Sequence, residues 1–134
     1  MEIKSWLNRA WKLDAEIQSL EMAKIEERRR VLSTTSNPSN TVVSGTKNPH
    51  KYDRLVELES KIDEIIDREI AVKREILEFI SDIPDARYRT LLIGRYIRFM
   101  TWERIAVQMH YGYRQTLRLH RAALIACEEM WNNE

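Results

Sequence analysis

Residues 91–124 constrain the fold of this chain most strongly, because three amphipathic segments follow one another there with short breaks between them. Within each segment the apolar or small residues recur at spacings of three and four, as helices require when they bury one face. The three sets are Leu91, Leu92, Tyr96 and Ile97; Trp102, Ile105, Ala106 and Met109; and Thr116, Leu119, Ala123 and Leu124. The pattern predicts three helices in quick succession.

The breaks between these predicted helices carry residues that suit helix ends. Thr101 can cap the second helix through its hydroxyl, and Glu103 lies favourably in the first turn of that helix. In the second break, Gly112 is free to take a backbone angle that other residues avoid. Two helices joined by such a tight turn are typical of a helix-turn-helix, whose second helix enters the major groove of DNA.

The charge of the chain is unevenly distributed, although its formal net charge is only +1. Residues 84–127 contain eight arginines, no lysine and two carboxylates, Asp85 and Glu103, so this segment has a net charge of +6. Because arginine neutralises phosphates and makes forked contacts to phosphate or guanine, the asymmetry indicates a nucleic-acid partner. A solvated basic face without a partner is the alternative interpretation.

The third predicted helix, about residues 113–130, is the candidate recognition helix. Thr116, Leu119 and Ala123 face inward by their spacing, which leaves the opposite side of the helix for double-stranded DNA. The candidate DNA-binding residues on that side are Tyr113, Arg114, Gln115, Leu117, Arg118 and Arg121. Arginines can reach guanine edges or phosphates, glutamine can bond an adenine, and leucine can meet a thymine methyl group.

A long amphipathic helix is predicted for residues 1–32, where a narrow apolar stripe runs through a highly charged segment. Its regular positions alternate at spacings of four and three: Trp6, Ala10, Leu13, Ile17 and Leu20. Residues 33–49 are rich in Ser, Thr, Asn, Pro and Gly, with Asn-Pro twice and Ser-Gly once. That composition predicts a flexible linker.

A second long helix is predicted for residues 50–83, which carry a nearly strict heptad seam from Leu55 to Phe79. Glu69 interrupts the seam, and we expect a solvated position there rather than a buried, register-setting one. Pro84 then suits the first turn of a new helix, which Asp82 can cap. The predicted helix-turn-helix DNA-binding domain therefore covers residues 84–134.

These segments predict an all-α fold in which a long N-terminal antiparallel helical hairpin, resembling a coiled coil, precedes the helix-turn-helix domain. Neither long helix can hide its stripe alone, and burying seam residues stabilises by roughly 1.5–3 kcal/mol each. A two-helix hairpin still leaves part of a wide stripe in water. We therefore expect residues 1–32 and 50–83 to form an oligomerisation arm in a homodimer or higher oligomer.

The sequence offers no chemistry typical of an enzyme or a cofactor site. Its histidines, His50, His110 and His120, lack metal-ligand spacing, and the single cysteine, Cys127, suits a small buried hydrophobe. No catalytic constellation or Gly-rich phosphate loop occurs. A membrane span and a signal-peptide core are also missing from the sequence, so the expected location is cytoplasmic.

Residues 95–124 resemble the fourth conserved region of bacterial sigma-seventy-type factors, in an Arg-Tyr, a Thr-Trp-Glu helix start, an Ile-Ala and a terminal Ala-Leu. They are closer still to phage-encoded regulators of the RinA/ArpU type, in the runs Met-His-Tyr at 109–111, Arg-Gln at 114–115 and Leu-His at 119–120. The resemblance implies DNA binding and control of phage late or packaging genes in a bacterial host cell. It leaves contact with host RNA polymerase open.

Three functions fit this pattern. The leading prediction is a sequence-specific phage transcriptional regulator that presents its recognition helices to a repeated DNA site. The second is a small terminase subunit, a DNA-packaging component that also joins a helix-turn-helix to a helical oligomerisation arm. The third function requires the same fold but no DNA binding: the chain would bind polymerase or a host protein and inhibit it.

Overall fold

The computed structural model of the chain describes residues 2–35 and 49–133, and every regular element in those two ranges is a helix. The elements are α1 (Ile3–Leu7), α2 (Arg9–Thr35), α3 (Asp53–Ser81), α4 (Ala86–Leu92), a π-helical turn (Ile93–Ile97), α5 (Trp102–Met109) and α6 (Tyr113–Asn132). The prediction of an all-α fold is confirmed. None of these helices combines the length and the apolar character needed to cross a bilayer.

The first predicted helix is interrupted at Asn8, which separates α1 from α2. Asn8 keeps right-handed backbone angles, its amide donates to the carbonyl of Lys4, and its carbonyl accepts from Lys12. The interruption is therefore a local turn that preserves the direction of the hydrogen bonds. At its far end α2 continues to Thr35, three residues into the predicted linker, and residues 36–48 of that linker lie outside the described residues.

The chain divides into two compact units, which we call the arm unit (Leu13–Arg68) and the terminal unit (Met1–Lys12 with Glu69–Glu134). In the arm unit, two ion pairs connect α2 to α3: Lys24 Nζ lies 3.7 Å from Glu59 Oε1, and Arg54 Nε lies 3.7 Å from Glu27 Oε2. The later residue of α2 thus pairs with the earlier residue of α3. The two helices run antiparallel within this unit.

The terminal unit contains a large apolar core to which α1, α3, α4, α5 and α6 all contribute. Three aromatic rings, Trp6, Phe79 and Trp131, contact one another edge to face, with centroids 5.1–5.8 Å apart. This geometry is favourable for aromatic pairs because the positive edge of one ring meets the negative face of another. Residues from the ends of the chain and from α3 are thereby joined in one core.

Glu69 is buried, contrary to the expectation of a solvated position, since its relative exposure is only 8%. The carboxylate pairs with Lys73 one turn later, with Oε1 3.1 Å from Nζ, and Lys73 in turn lies 4.6 Å from the ring centroid of Phe99. Lys73, which belongs to the same helix, therefore compensates the negative charge of the buried Glu69. The stripe of α3 continues past this residue into the core at Ile76 and Phe79.

Asp85, rather than the predicted Asp82, caps α4. Its Oδ1 accepts a hydrogen bond of 2.8 Å from the amide of Arg87. Asp82 is committed to the end of α3, because its amide donates to the carbonyl of Phe79. Arg89 then ties down the connection by donating to the carbonyls of Ile83 and Pro84, at 2.6 and 2.8 Å.

Candidate nucleic-acid interface

The approach to α5 is shaped by the π-helical turn that follows α4. The amide of Arg98 donates to the carbonyl of Ile93, five residues back, and Phe99 then takes a left-handed φ of 56°. The amide of Met100 donates to the carbonyl of Gly94 at 2.9 Å, while Arg95 Nη1 donates to the carbonyl of Met100 at 3.0 Å. These bonds bring the chain back so that α5 begins at Trp102.

Thr101 caps α5 as predicted, because its Oγ1 accepts a hydrogen bond of 3.2 Å from the amide of Arg104. The turn after α5 differs from the prediction. His110, and not Gly112, takes the left-handed conformation, with φ 60° and ψ 37°, whereas Gly112 is extended with φ −70° and ψ 160°. Helices commonly end on a left-handed residue, because it lets its amide reach a carbonyl of the last turn. Here the left-handed position falls directly after Met109, two residues before the glycine.

α6 has one buried face and one exposed face. The buried residues are Thr116, Leu119, His120, Ala123 and Cys127, which include the three predicted to face inward. Of the six candidate DNA-binding residues, five are exposed and Leu117 is half-buried; the exposed ones are Tyr113, Arg114, Gln115, Arg118 and Arg121. The arginines among them recur at spacings of four and three, so the predicted stripe lies on the surface of the protein.

The eight arginines of this region divide into two groups. Arg87, Arg89 and Arg95 are engaged: the first pairs with Asp85 at 2.9 Å, and the other two donate to backbone carbonyls. The remaining five are exposed and, within residues 2–35 and 49–133, make no ion pair or side-chain hydrogen bond: Arg98, Arg104, Arg114, Arg118 and Arg121. The arginines of this region without such contacts therefore lie on α5, on α6 and in the turn before α5.

A buried polar pair holds α6 against the rest of the terminal unit. Tyr96 Oη and His120 Nε2 are 2.7 Å apart and share a hydrogen bond, and the ring of Trp102 lies 4.5 Å from that of His120. Burial, followed by the nearby charges of Lys4 and Arg95, lowers the pKa of His120 from 6.5 to about 4. Burial raises the pKa of Tyr96 to about 12. Both groups are therefore neutral near pH 7.

Sequence reasoning considered His120 only as a metal ligand and missed this structural role. The signal was present in its spacing, because His120 continues the inward-facing series from Thr116 to Ala123 and Cys127. Cys127 is buried as predicted, and burial raises the pKa of its thiol to about 11. Among the described residues no group of three or more potential metal ligands occurs.

Comparison of the chain with protein-family models, with curated proteins and with solved structures finds no match. Any assignment of function therefore depends on the residues themselves.

Proposed function

We propose that the chain is a sequence-specific DNA-binding transcriptional regulator of the phage RinA/ArpU type, with α6 as its recognition helix in the major groove. The observation that carries this proposal is the exposed stripe of Arg114, Arg118 and Arg121 on a helix whose opposite face is buried. α5, a turn of residues 110–112 and α6 follow one another as the two helices of a helix-turn-helix do. The function includes no enzymatic step.

The N-terminal part of α6 is the part that we expect to read bases. In helix-turn-helix proteins the first residues of the recognition helix contact base edges, and here Tyr113, Arg114 and Gln115 are all exposed in the first turn. Arg118 and Arg121 follow at positions suited to phosphates or to further bases. Arg98 and Arg104 are also exposed, the first just before α5 and the second within it. In helix-turn-helix complexes this first helix crosses the sugar-phosphate backbone of the DNA.

The affinity of Arg118→Ala for duplex DNA tests this face. DNA fragments selected from the source genome with the parent protein would serve as the ligand, measured across a series of salt concentrations. Loss of a base or phosphate contact should weaken binding about tenfold, and loss of a phosphate contact should reduce the salt slope by about one. Arg74→Ala is the matched control, since Arg74 is an exposed arginine of α3 that forms no ion pair with any described residue. Equal losses in the two variants, or none in either, would contradict the assigned face.

We further propose that the antiparallel helical hairpin of α2 and α3 assembles the protein into a homodimer. Support comes from the arm unit, where several large apolar side chains remain at least half exposed, among them Met22, Ile25 and Val56. Such side chains suit a protein–protein surface when they adjoin one another. Sedimentation should give the mass of a dimer for the parent and of a monomer for the double variant Ile25→Glu/Val56→Glu. A ring of many chains would favour the small terminase subunit instead.

Contact with host RNA polymerase is a second candidate activity, which a feature of α5 favours. Val107 is 75% exposed and lies beside Arg104 in a shallow groove on the outer side of α5, together with Gln108. At that exposure the valine buries little apolar surface within the monomer. A protein that acts only as an inhibitor of polymerase or another host protein should show no affinity for any duplex at low salt. If Val107 contacts polymerase, Val107→Glu should abolish polymerase binding.

A further inference from the structure

A cavity of about 390 Å³ lies within the terminal unit, between the first turns of the chain and the helices that support α6. α1 and the start of α2 supply Lys4, Trp11 and Lys12 to one side of it. The π-helical turn, α5 and α6 supply Arg95, Trp102 and His120 to the other side. Its volume falls within the usual range of small-molecule sites, about 300–1,000 Å³.

The cavity is positively charged and contains no carboxylate to neutralise it. Lys4 and Lys12 are exposed, and neither forms an ion pair with any residue that the structure describes. One N–H group of Arg95 donates to the carbonyl of Met100, and the other N–H groups of its guanidinium can still donate to a ligand. Burial is the main cause of the low pKa of His120, and the charges of Lys4 and Arg95 lower it further, which agrees with a positive potential at this place. An anionic ligand would be attracted, and a metal cation would be repelled.

The aromatic residues of the cavity give it a flat wall beside these cations. The guanidinium carbon of Arg95 lies 4.5 Å from the ring centroid of Trp102 and 5.9 Å from that of Trp11. Trp102 is already covered by Arg95 and His120, whereas Trp11 is 50% exposed. An exposed indole at the edge of a cationic cavity can stack on an aromatic ring, a contact worth about 1–3 kcal/mol for a nucleobase.

We propose that this cavity binds a nucleoside monophosphate, with the phosphate among Lys4, Lys12 and Arg95 and the base against Trp11. Charge alone would fit any anion, but the half-exposed indole in a cavity lined by three cations favours a ligand that joins a phosphate to a flat ring. None of these residues belongs to the exposed stripe of α6. The site is therefore distinct from the proposed DNA contact and does not depend on it.

Calorimetric titration of the full chain with adenosine and guanosine monophosphates, without DNA, tests the proposal. At least one of the two should bind, and adenosine and inorganic phosphate should each bind at least tenfold more weakly. Inorganic phosphate binding as tightly as the nucleotides would overturn the assignment of the base to Trp11. Adenosine binding as tightly would overturn the assignment of the phosphate, and no binding of either nucleotide would overturn the proposal as a whole.

Variants at the exposed rim locate the site without disturbing the core. Lys12→Gln and Trp11→Ala should each weaken nucleotide binding at least tenfold, because they remove a phosphate partner and the stacking surface. Lys61→Gln is the control, since Lys61 is an exposed lysine of α3 in the arm unit. Its affinity should equal that of the parent, and circular dichroism should show unchanged helix content in all three. Unchanged affinity in Lys12→Gln and Trp11→Ala would place the nucleotide elsewhere and overturn the proposal.

Discussion

His120 should make the stability of the protein depend on pH above the range in which carboxylates titrate. Its pKa is about 4 in the folded chain against 6.5 when unperturbed, so below pH 6.5 the unfolded chain takes up a proton that the folded chain refuses. The stabilisation is complete above pH 6.5 and is lost progressively down to about pH 4. Linkage predicts a loss of about 2 kcal/mol between pH 7 and pH 5. Urea unfolding at the two pH values measures it.

His120→Gln removes the titrating group and should therefore remove most of this pH dependence, while lowering stability at pH 7 through the poorer fit beside Tyr96 and Trp102. His110→Gln is the control, because His110 is exposed. The control should lose as much stability as the parent on acidification. Identical losses in parent and His120→Gln would show that other groups set the pH dependence.

The turn before α6 gives a second residue-scale prediction. His110→Gly should stabilise the protein by about 1 kcal/mol, because glycine takes a left-handed conformation without the steric cost of a side chain. Gly112→Ala should change stability by less than about 1 kcal/mol, since its φ is −70° and an added Cβ meets nothing within 4 Å. Thermal unfolding compares the two. Strong destabilisation by Gly112→Ala would restore the left-handed role that the sequence predicted for this glycine.

At the residue scale, the sequence predicted which side chains are buried better than it predicted backbone angles. Thr116, Leu119 and Ala123 are buried because helical spacing determines a face. The left-handed angle of His110 depends on α5 ending at Met109, which the apolar spacing does not determine. The hydrogen bond of Arg95 depends on the position of the Met100 carbonyl, five residues later. A count of arginines therefore overstated the number of arginine side chains that have no contact within the protein.

At the scale of elements, the cap of α5 is worth a measurable part of the stability. Thr101→Ala should cost about 1 kcal/mol, because the amide of Arg104 loses its acceptor at the start of a short helix. Thr90→Ala is the matched control: its hydroxyl donates to the carbonyl of Ala86 inside α4, and its loss should be nearly neutral. Chemical denaturation of both variants tests this, and Thr101→Ser should recover the loss. Equal effects at the two threonines would argue against the cap.

The sequence predicted α3, α5 and α6 because each has strong apolar periodicity and a recognisable end. It could not predict the turn at Asn8, since that region has no Gly or Pro and its hydrogen bonds continue. The π-helical turn was equally hidden. The hydrogen bond from Arg98 to Ile93 spans five residues and not four, and the extra residue rotates the buried face by about 100°. In the sequence this rotation cannot be told from ordinary variation in the apolar spacing of a helix.

For the whole molecule, the pattern of α3 predicted burial but not the neighbours against which its residues pack. Ile62 and Ile65 are buried in the arm unit, whereas Ile76 and Phe79 belong to the core of the terminal unit. A single heptad seam thus serves two differently built units. A heptad repeat determines which face of a helix is buried, whereas the elements that pack against that face depend on residues far away in the sequence.

The two units should therefore differ in local stability. Among the described residues, the arm unit buries Val31, Ile62 and Ile65 together with Glu27, whose pKa is lowered by its hydrogen bond to Arg30 and by the charges of Arg30 and Arg54. The terminal unit instead has a continuous apolar core. Regions with few buried apolar contacts open more readily. Hydrogen exchange should be faster in residues 13–35 and 53–68 than in α4 and α6.

Exchange measured over a range of protein concentrations separates this difference from the proposed self-association. If chains pair through the arm unit, protection there should rise with concentration by mass action, while protection of α6 stays constant. The variant Ile25→Glu/Val56→Glu should keep the arm unit at its low-concentration protection throughout. Uniform protection of both units in this variant would contradict the difference in local stability, because a sparse core would then hold its helices as firmly as a dense one.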